Sequence, residues 1–235
     1  MSDLRRRDDG TAPAIRRGGA PRVAAPRRSA HIVVADGVRR VVSCAAAAAV
    51  LLVLSPVLVA VAVSLRATMG RGVLFRQERL GRGGATFELL KFRTMRHARP
   101  GREAPEFDAE RLTALGQFLR STSLDELPSM WNLVRGDMVL VGPRPLPVTY
   151  WERFRGDEYR RFEVTPGVTG LAQVHGRNAV DWPERLALDV RYVDTRSLRG
   201  DLAIIVRTVP LVLGRRGVSA EGAATMHALP ADRPG

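Results

Sequence analysis

Cysteine and lysine are nearly absent from this 235-residue sequence, which contains one of each, Cys44 and Lys91. With a single cysteine the chain cannot form an internal disulfide bond. One cysteine and 4 scattered histidines also cannot supply the ligand set of a Cys/His metal site. The G-x-x-x-x-G-K-S/T phosphate loop and the G-x-G-x-x-G turn of a Rossmann fold are missing as well. Nucleotide binding by either of these two units is therefore disfavoured.

Aromatic residues are scarce too, at 6% of the chain. Proteins that bind single-stranded nucleic acid interleave basic residues with aromatic ones that stack on the bases, and this pattern is not found. The formal net charge of +13 nevertheless favours anionic partners such as phosphates, nucleotides or an acidic lipid surface. A membrane-anchored basic binding module remains a competing hypothesis, but we expect no nucleic-acid partner.

The composition divides the chain into four parts. Residues 1–34 form a basic tail rich in Gly, Pro, Ala and Arg, without an apolar period, which predicts disorder. Residues 35–66 contain a long apolar segment, and residues 67–214 form the main domain. Residues 215–235 are predicted to be a flexible C-terminal tail.

The apolar segment, residues 41–65, contains no charged residue. As one helix it would be roughly 37 Å long, enough to cross a hydrocarbon core of about 30 Å. Pro56 removes a helical hydrogen bond, and the hydroxyl of Ser55 can satisfy the carbonyl that is left free, which predicts a kink. Arginines flank both ends, whereas a spanning helix usually keeps them on one side. A re-entrant helix-break-helix is therefore favoured, and a kinked single span stays open.

The main domain is predicted to be of the α+β class, mostly helical with a small β-hairpin. Two partly alternating runs flank G-R-G-G within residues 73–95, which predicts the hairpin. Apolar spacing predicts helices over residues 111–119, 127–134 and 182–193. Residues 198–213 are apolar with arginines at the edges, as in an amphipathic helix at the membrane interface.

Two adjacent acids, Asp125 and Glu126, lie in the motif T-S-L-D-E-L-P of residues 122–128. Ser123 and Glu126 fit the S-x-x-E capping box, which predicts the start of a helix. Alternatively, one carboxylate can attack a phosphorus atom and its neighbour can bind Mg²⁺. Spacing alone does not decide between the two interpretations, and both can hold at once.

Basic residues in constrained local sequences are candidates for phosphate binding, because a fixed guanidinium suits bidentate recognition. Prolines on both sides restrict Arg144 in P-R-P. The other candidates are Lys91, Arg93 and Arg177.

Six motifs follow one another after the Ser-Pro break: F-R-Q-E-R-L-G, K-F-R-T-M, T-S-L-D-E-L-P, G-D-M-V-L-V-G-P-R-P, P-G-V-T-G-L-A-Q-V and G-R-N. In this order they resemble the bacterial sugar transferase family, the monotopic phosphoglycosyl transferases, in its small core-only form. The resemblance covers residues 35–213. It implies transfer of a sugar 1-phosphate from a UDP-sugar to polyprenyl phosphate, usually undecaprenyl phosphate, with release of UMP. This reaction begins the assembly of surface polysaccharides and glycoconjugates.

The resemblance also implies roles for individual residues. Asp125 would attack the β-phosphorus and carry the phospho-sugar, and Glu126 would bind Mg²⁺ as the cofactor. Ser55 and Pro56 match the family's re-entrant break, which places the protein at the cytoplasmic face of the plasma membrane. The expected substrate contacts are Lys91, Arg93 and Arg144 at the phosphates, and Arg177 and Asn178 near the sugar or uridine.

Two residues depart from the family pattern, Ser129 where Gln is common and Val139 where Ser is common. Neither supplies the expected nucleophile or metal ligand, so the departures bear on substrate preference. The sequence leaves a homodimer open, does not specify the sugar, and admits a scaffold without catalysis as an alternative.

Overall fold

The structure is a computed structural model that describes residues 30–98, 101, 104, 107–175, 180–213 and 229–230. The α-helices are α1 (Ala30–Val53), α2 (Ser55–Met69), α3 (Asp108–Arg111), α4 (Ala114–Ser121), α5 (Met130–Arg135), α6 (Leu171–Val174), α7 (Trp182–Thr195) and α8 (Leu198–Leu213). The strands are β1 (Leu74–Leu80), β2 (Thr86–Phe92), β3 (Val139–Val141) and β4 (Gly167–Thr169). Short 3-10 helices cover Arg82–Gly84, Leu124–Ser129, Val148–Arg153 and Gly156–Glu163. The predicted mostly helical fold with a small hairpin is confirmed.

The apolar segment forms two helices, α1 and α2, bent by 64°. Pro56 lies in the first turn of α2 and has no N–H to donate to the carbonyl of Leu52. The hydroxyl of Ser55 donates to this carbonyl instead, at 2.8 Å. The predicted kink and its local cause are therefore confirmed. Helix α1 begins at Ala30, so the last residues of the predicted N-terminal tail are helical.

Among the described residues, no helix taken alone has the length and apolar character to cross a membrane. The bent pair of Ile32–Val53 and Ser55–Met69 meets both criteria when its two helices are counted together.

The predicted hairpin is formed by β1 and β2, which pair antiparallel with Leu74 opposite Phe92 and Leu80 opposite Thr86. Its turn depends on glycine at position 84, where φ is +80°. A Cβ there would also lie 2.8 Å from the Trp151 ring. The turn thus packs against Trp151, and β2 ends at the motif that contains Lys91.

Strands β3 and β4 form a second, parallel pair in addition to the hairpin. The two chains approach so closely that a Cβ on Gly167 would lie 2.1 Å from the backbone nitrogen of Gly142. The hydroxyl of Ser43 in α1 accepts a hydrogen bond from the Leu140 N–H at 2.9 Å. Tyr192 of α7 donates to the carbonyl of Val141 at 3.0 Å. Helices α1 and α7 therefore both hold the small sheet in place.

The predicted helix over residues 111–119 is wrong in its extent. The chain leaves the helical conformation at Leu112, where ψ is 122°, and α4 starts after Thr113. The Thr113 side chain accepts from the Gly116 N–H and caps α4. The helix predicted at residues 127–134 begins earlier, as the 3-10 helix Leu124–Ser129. Helices α7 and α8 match their predictions closely.

Part of the predicted C-terminal tail is packed against the main domain. Leu229 is 0% exposed and lies in an apolar cluster with Leu80, Leu146, Phe154 and other aromatic and aliphatic side chains. Arg153 donates a hydrogen bond to its carbonyl.

Asn132 ties α5 to the hairpin, and it is 0% exposed. Its amide nitrogen donates to the Glu88 carbonyl at 2.7 Å and to the Asp137 carboxylate at 3.1 Å. Its amide oxygen accepts from the Leu90 N–H at 3.1 Å. Because all three contacts reach outside α5, this one side chain fixes the position of β2.

Replacing Asn132 by Ala should lower the free energy of unfolding by roughly 3 kcal/mol, since it leaves buried backbone groups without partners. Chemical denaturation of the detergent-solubilised protein measures the change. Gln117→Ala, which truncates an exposed amide on α4, is the matched control. Equal effects of the two substitutions would contradict the role of Asn132.

Candidate active site

Asp125 and Glu126 lie in the first turn of the 3-10 helix Leu124–Ser129. Ser123 precedes this helix with φ 59°, in the left-handed region, and its side chain makes no capping hydrogen bond. Its backbone carbonyl accepts from the Glu126 N–H at 3.2 Å instead. The predicted capping box is therefore wrong. With Ser123 in the left-handed region, the Glu126 N–H donates to the backbone carbonyl of Ser123 and not to its hydroxyl.

The Glu126 carboxylate is the centre of the site. One of its oxygens, Oε1, accepts from Lys91 Nζ at 2.7 Å and from an Arg144 guanidinium nitrogen at 2.5 Å. Lys91 comes from β2, and Arg144 comes from the P-R-P segment after β3. Three motifs separated along the sequence thus meet at one oxygen atom.

Arg79 contacts the backbone of the P-R-P segment through a hydrogen bond. It donates to the Pro145 carbonyl at 3.1 Å and to the Gln77 side chain at 2.5 Å. Burial and the neighbouring charge of Arg144 lower the pKa of Arg79 to about 10. Sequence reasoning did not single this residue out, although it lies within the quoted motif F-R-Q-E-R-L-G.

The two adjacent acids have different proton affinities. Burial, together with the charge of Glu126, raises the pKa of Asp125 to about 6. Burial also acts against the charged form of Glu126, but Arg144 and Lys91 outweigh it and hold the pKa of Glu126 well below its usual range. Glu126 is therefore a permanent anion at neutral pH, while Asp125 is a carboxylate of unusually high basicity.

One of the predicted site residues, Arg93, does not join this cluster. Arg93 is buried and donates to the Met69 carbonyl at 2.6 Å, and its other terminal nitrogen lies 2.5 Å from His97 Nε2. Because Met69 is the last residue of α2, Arg93 ties α2 to the end of β2, whereas the contact with His97 is local to the segment after β2. Arg177 and Asn178 lie outside the described residues.

A pocket of about 310 Å³ opens beside the Glu126 cluster. Charged and polar side chains line one part of it, and apolar groups from β2, β3 and β4 line the rest. The lining residues are Arg79, Leu89, Lys91, Glu126, Ser129, Met138, Arg144, Pro145, Gly167 and Val168. Ser129, one of the two departures from the family pattern, therefore lies at this pocket.

No group of three or more His, Cys, Asp or Glu side chains suited to a metal is found in the described part of the chain. Mg²⁺ is commonly held by one or two carboxylates together with substrate phosphates. A single carboxylate, that of Glu126, fits a Mg²⁺ ion of this shared kind, and it does not fit a site built from protein ligands alone.

Comparison with known proteins places the chain in a family. The model of the bacterial sugar transferase family matches residues 34–215. The chain is 40% identical over 210 residues to the UDP-glucose:undecaprenyl-phosphate glucose-1-phosphate transferase of Caulobacter vibrioides, which covers 85% of this chain and 75% of that protein. It is 44% identical over 154 residues to the sugar transferase EpsL of Bacillus subtilis, covering 66% and 76%. The undecaprenyl-phosphate galactose phosphotransferase of Salmonella typhimurium is 38% identical over 165 residues, covering 63% of this chain and 35% of that protein.

The chain therefore belongs to the bacterial sugar transferase family. It is an enzyme of the phosphoglycosyl transferase class, as the resemblance of its motifs implied.

The raised pKa of Asp125 predicts a specific pH dependence of stability. Between about pH 4 and 6 the unfolded chain loses this proton while the folded protein keeps it, so the contribution of Asp125 to stability falls as the pH rises through this window. Asp125→Asn should therefore raise the melting temperature above that of the unmodified protein by roughly 3 °C at pH 7.5, and much less at pH 4.5.

Differential scanning fluorimetry at both pH values measures the difference. Asp157→Asn, at an exposed position, is the matched control. A larger stabilisation by Asp125→Asn at pH 4.5 than at pH 7.5 would contradict the assignment.

Proposed function

We propose that this protein transfers a sugar 1-phosphate from a UDP-sugar to polyprenyl phosphate, releases UMP, and thereby begins the assembly of a surface polysaccharide. The observation that carries the proposal is the meeting of Lys91 and Arg144 at Glu126, the residue that follows Asp125 in the chain; the side chains of Lys91, Arg144 and Glu126 line one pocket. Relatives named as undecaprenyl-phosphate sugar-phosphate transferases support the same reaction.

Asp125 is the proposed nucleophile. Its carboxylate attacks the β-phosphorus, the bond from this phosphorus to the oxygen bridging to the α-phosphate breaks, and UMP leaves with that oxygen. A pKa of about 6 leaves Asp125 mostly ionised at neutral pH, yet more basic than an ordinary carboxylate. In the second half of the reaction, a terminal oxygen of polyprenyl phosphate attacks the same phosphorus and the Asp125 carboxylate departs.

The cations offset the repulsion between an anionic nucleophile and an anionic diphosphate. Lys91 and the proline-flanked Arg144 bind phosphoryl oxygens, and Glu126 holds both side chains in place before substrate arrives. A Mg²⁺ ion, which Glu126 would hold together with the substrate phosphates, would further reduce the charge on the phosphoryl oxygens. Arg177 and Asn178 keep their proposed place near the sugar or uridine, whereas Arg93 acts through the position of β2.

The bent pair α1–α2 is proposed to enter the cytoplasmic leaflet of the plasma membrane and return, which makes the protein monotopic. The 64° bend and the arginines at both ends support this topology. Helix α8 exposes Leu202, Val206 and Val209, which suits a helix lying in the same interface.

Purified protein with a UDP-sugar, undecaprenyl phosphate and Mg²⁺ should release UMP, and Asp125→Asn should lower the rate by at least about a thousandfold, because no covalent intermediate can form. Intact-mass spectrometry should detect a phospho-sugar adduct on the unmodified protein and none on Asp125→Asn. Asp157→Asn is the matched control and should retain both. Substantial turnover by Asp125→Asn would rule it out as nucleophile, and absence of UMP release across a broad panel of UDP-sugars would contradict the reaction itself.

The topology can be tested by cysteine labelling after the native cysteine has been replaced by Cys44→Ala. Val34→Cys places a thiol at an exposed position near the start of α1, ahead of the uncharged run, and Arg71→Cys places one at an exposed position just after α2. A membrane-impermeant maleimide should label both only after the cells are opened. Labelling of one position in intact cells and of the other only in opened cells would show a spanning segment instead.

A further inference from the structure

A second pocket, of about 470 Å³, lies on the other side of β3 from the Glu126 cluster. It shares no lining residue with the first pocket. Its wall is unusually basic, with four arginines and one acid. The lining residues are Asp36, Arg39, Arg40, Arg82, Gly136, Val139, Val141, Val164, Thr165, Tyr192 and Arg196.

Arg39 is the buried member of this group, with a side chain only 9% exposed. Its Nε donates to Asp201 at 2.6 Å, and Nη1 lies 3.2 Å from Asp36. The remaining nitrogen, Nη2, is buried and has no hydrogen-bond partner among the described residues. A buried guanidinium N–H without an acceptor is costly, and a bound anion would satisfy it.

The charges around the pocket do not balance. Asp36 is shared between Arg39 and Arg196, whose Nη1 lies 3.0 Å from the same carboxylate. Arg40 and Arg82 are both exposed and form no ion pair with any described residue. Asp201 does not line the pocket, but it pairs with Arg39. When Asp201 is counted together with Asp36, the four arginines of the pocket still outnumber the acids by two. This surplus matches the charge of a phosphate group.

The position of Arg40 depends on glycine at the end of α5. Gly136 has φ +84°, and a Cβ on it would lie 2.6 Å from Arg40 Nη2. The guanidinium therefore lies directly against this backbone, which only glycine permits. Arg40 also precedes the uncharged run of residues 41–65, so the pocket lies at the polar boundary of the apolar helix pair.

We propose that this second pocket binds a phosphate group, either as the headgroup of an anionic lipid or as free phosphate. Arg39 Nη2 supplies the buried donor, and Arg40 and Arg82 supply charge at the open side. Arginine suits this task because its planar fork donates two parallel hydrogen bonds to phosphate oxygens. The site is separate from the transfer reaction, since it contains neither Asp125 nor any residue that contacts Glu126.

The test compares three forms of the full-length chain in neutral detergent: the unmodified protein, Arg40→Gln/Arg82→Gln, and the control Arg76→Gln/Arg191→Gln. The control removes the same number of charges, and its two arginines are exposed and lie outside both pockets. Melting temperatures are measured against increasing inorganic phosphate at constant ionic strength. A second series uses dihexanoyl phosphatidic acid, with dihexanoyl phosphatidylcholine as the reference lipid. The dependence on concentration gives an apparent affinity.

Arg40→Gln/Arg82→Gln should weaken the apparent affinity at least about tenfold relative to the control, as expected for losing charge-assisted hydrogen bonds. Phosphate binding in the catalytic pocket contributes equally to all variants, so the difference isolates the second pocket. A difference in both series means that free phosphate suffices, and a difference in the phosphatidic acid series alone identifies a lipid headgroup. If Arg40→Gln/Arg82→Gln and the control respond alike in both series, the proposal is overturned. The test is independent of turnover, so failure of the proposed reaction would not affect it.

Discussion

The site depends on one carboxylate oxygen, Glu126 Oε1, which receives both Lys91 and Arg144. Each of the three residues belongs to a different structural unit: the hairpin, the 3-10 helix and the segment after β3. None of these units is large enough to be stable alone, because an isolated two-stranded sheet is marginal in water. The ion pairs therefore join the units at the point where chemistry is proposed. They also hold two cations together, which would otherwise repel each other.

The same contact explains why two neighbouring acids differ. Glu126 is stabilised as an anion by Arg144 and Lys91, and its charge then raises the pKa of Asp125 in addition to burial. Pairs of titratable groups with separated pKa values are typical of sites where one group holds charge and the other reacts. Here, Glu126 organises the cations, and Asp125 keeps a basic oxygen available for the proposed attack on phosphorus.

Features fixed by local chemistry were predictable from the sequence. The break at Ser55 and Pro56 follows from a missing N–H, and the hairpin follows from a glycine-rich turn between alternating runs. Features that depend on distant partners were not predictable. S-x-x-E spacing favoured a cap at Ser123, but the left-handed backbone there excludes it. Arg93 lies two residues from Lys91, yet contacts at the end of α2 hold it away from Glu126. The order of the motifs predicted that Asp125, Glu126 and Arg144 belong to one site. Only the fold shows which of their side chains are in contact.

The packing of α1 bears on how deeply the proposed membrane segment can insert. Ser43 and Ala47 belong to the uncharged run, but they are buried against the protein, where Ser43 bonds to β3 and Ala47 packs against Leu133 and Met138. On the other arm, Leu65 is buried with Phe92 and Leu119. Only residues 48–64 are left between these anchors, and the bend at Leu54 divides them into arms of roughly 10–15 Å. A straight crossing needs about 30 Å of apolar helix. Because the rest of the protein holds both ends of the segment, each free arm is at most about half as long as such a crossing, which supports the proposed re-entrant topology.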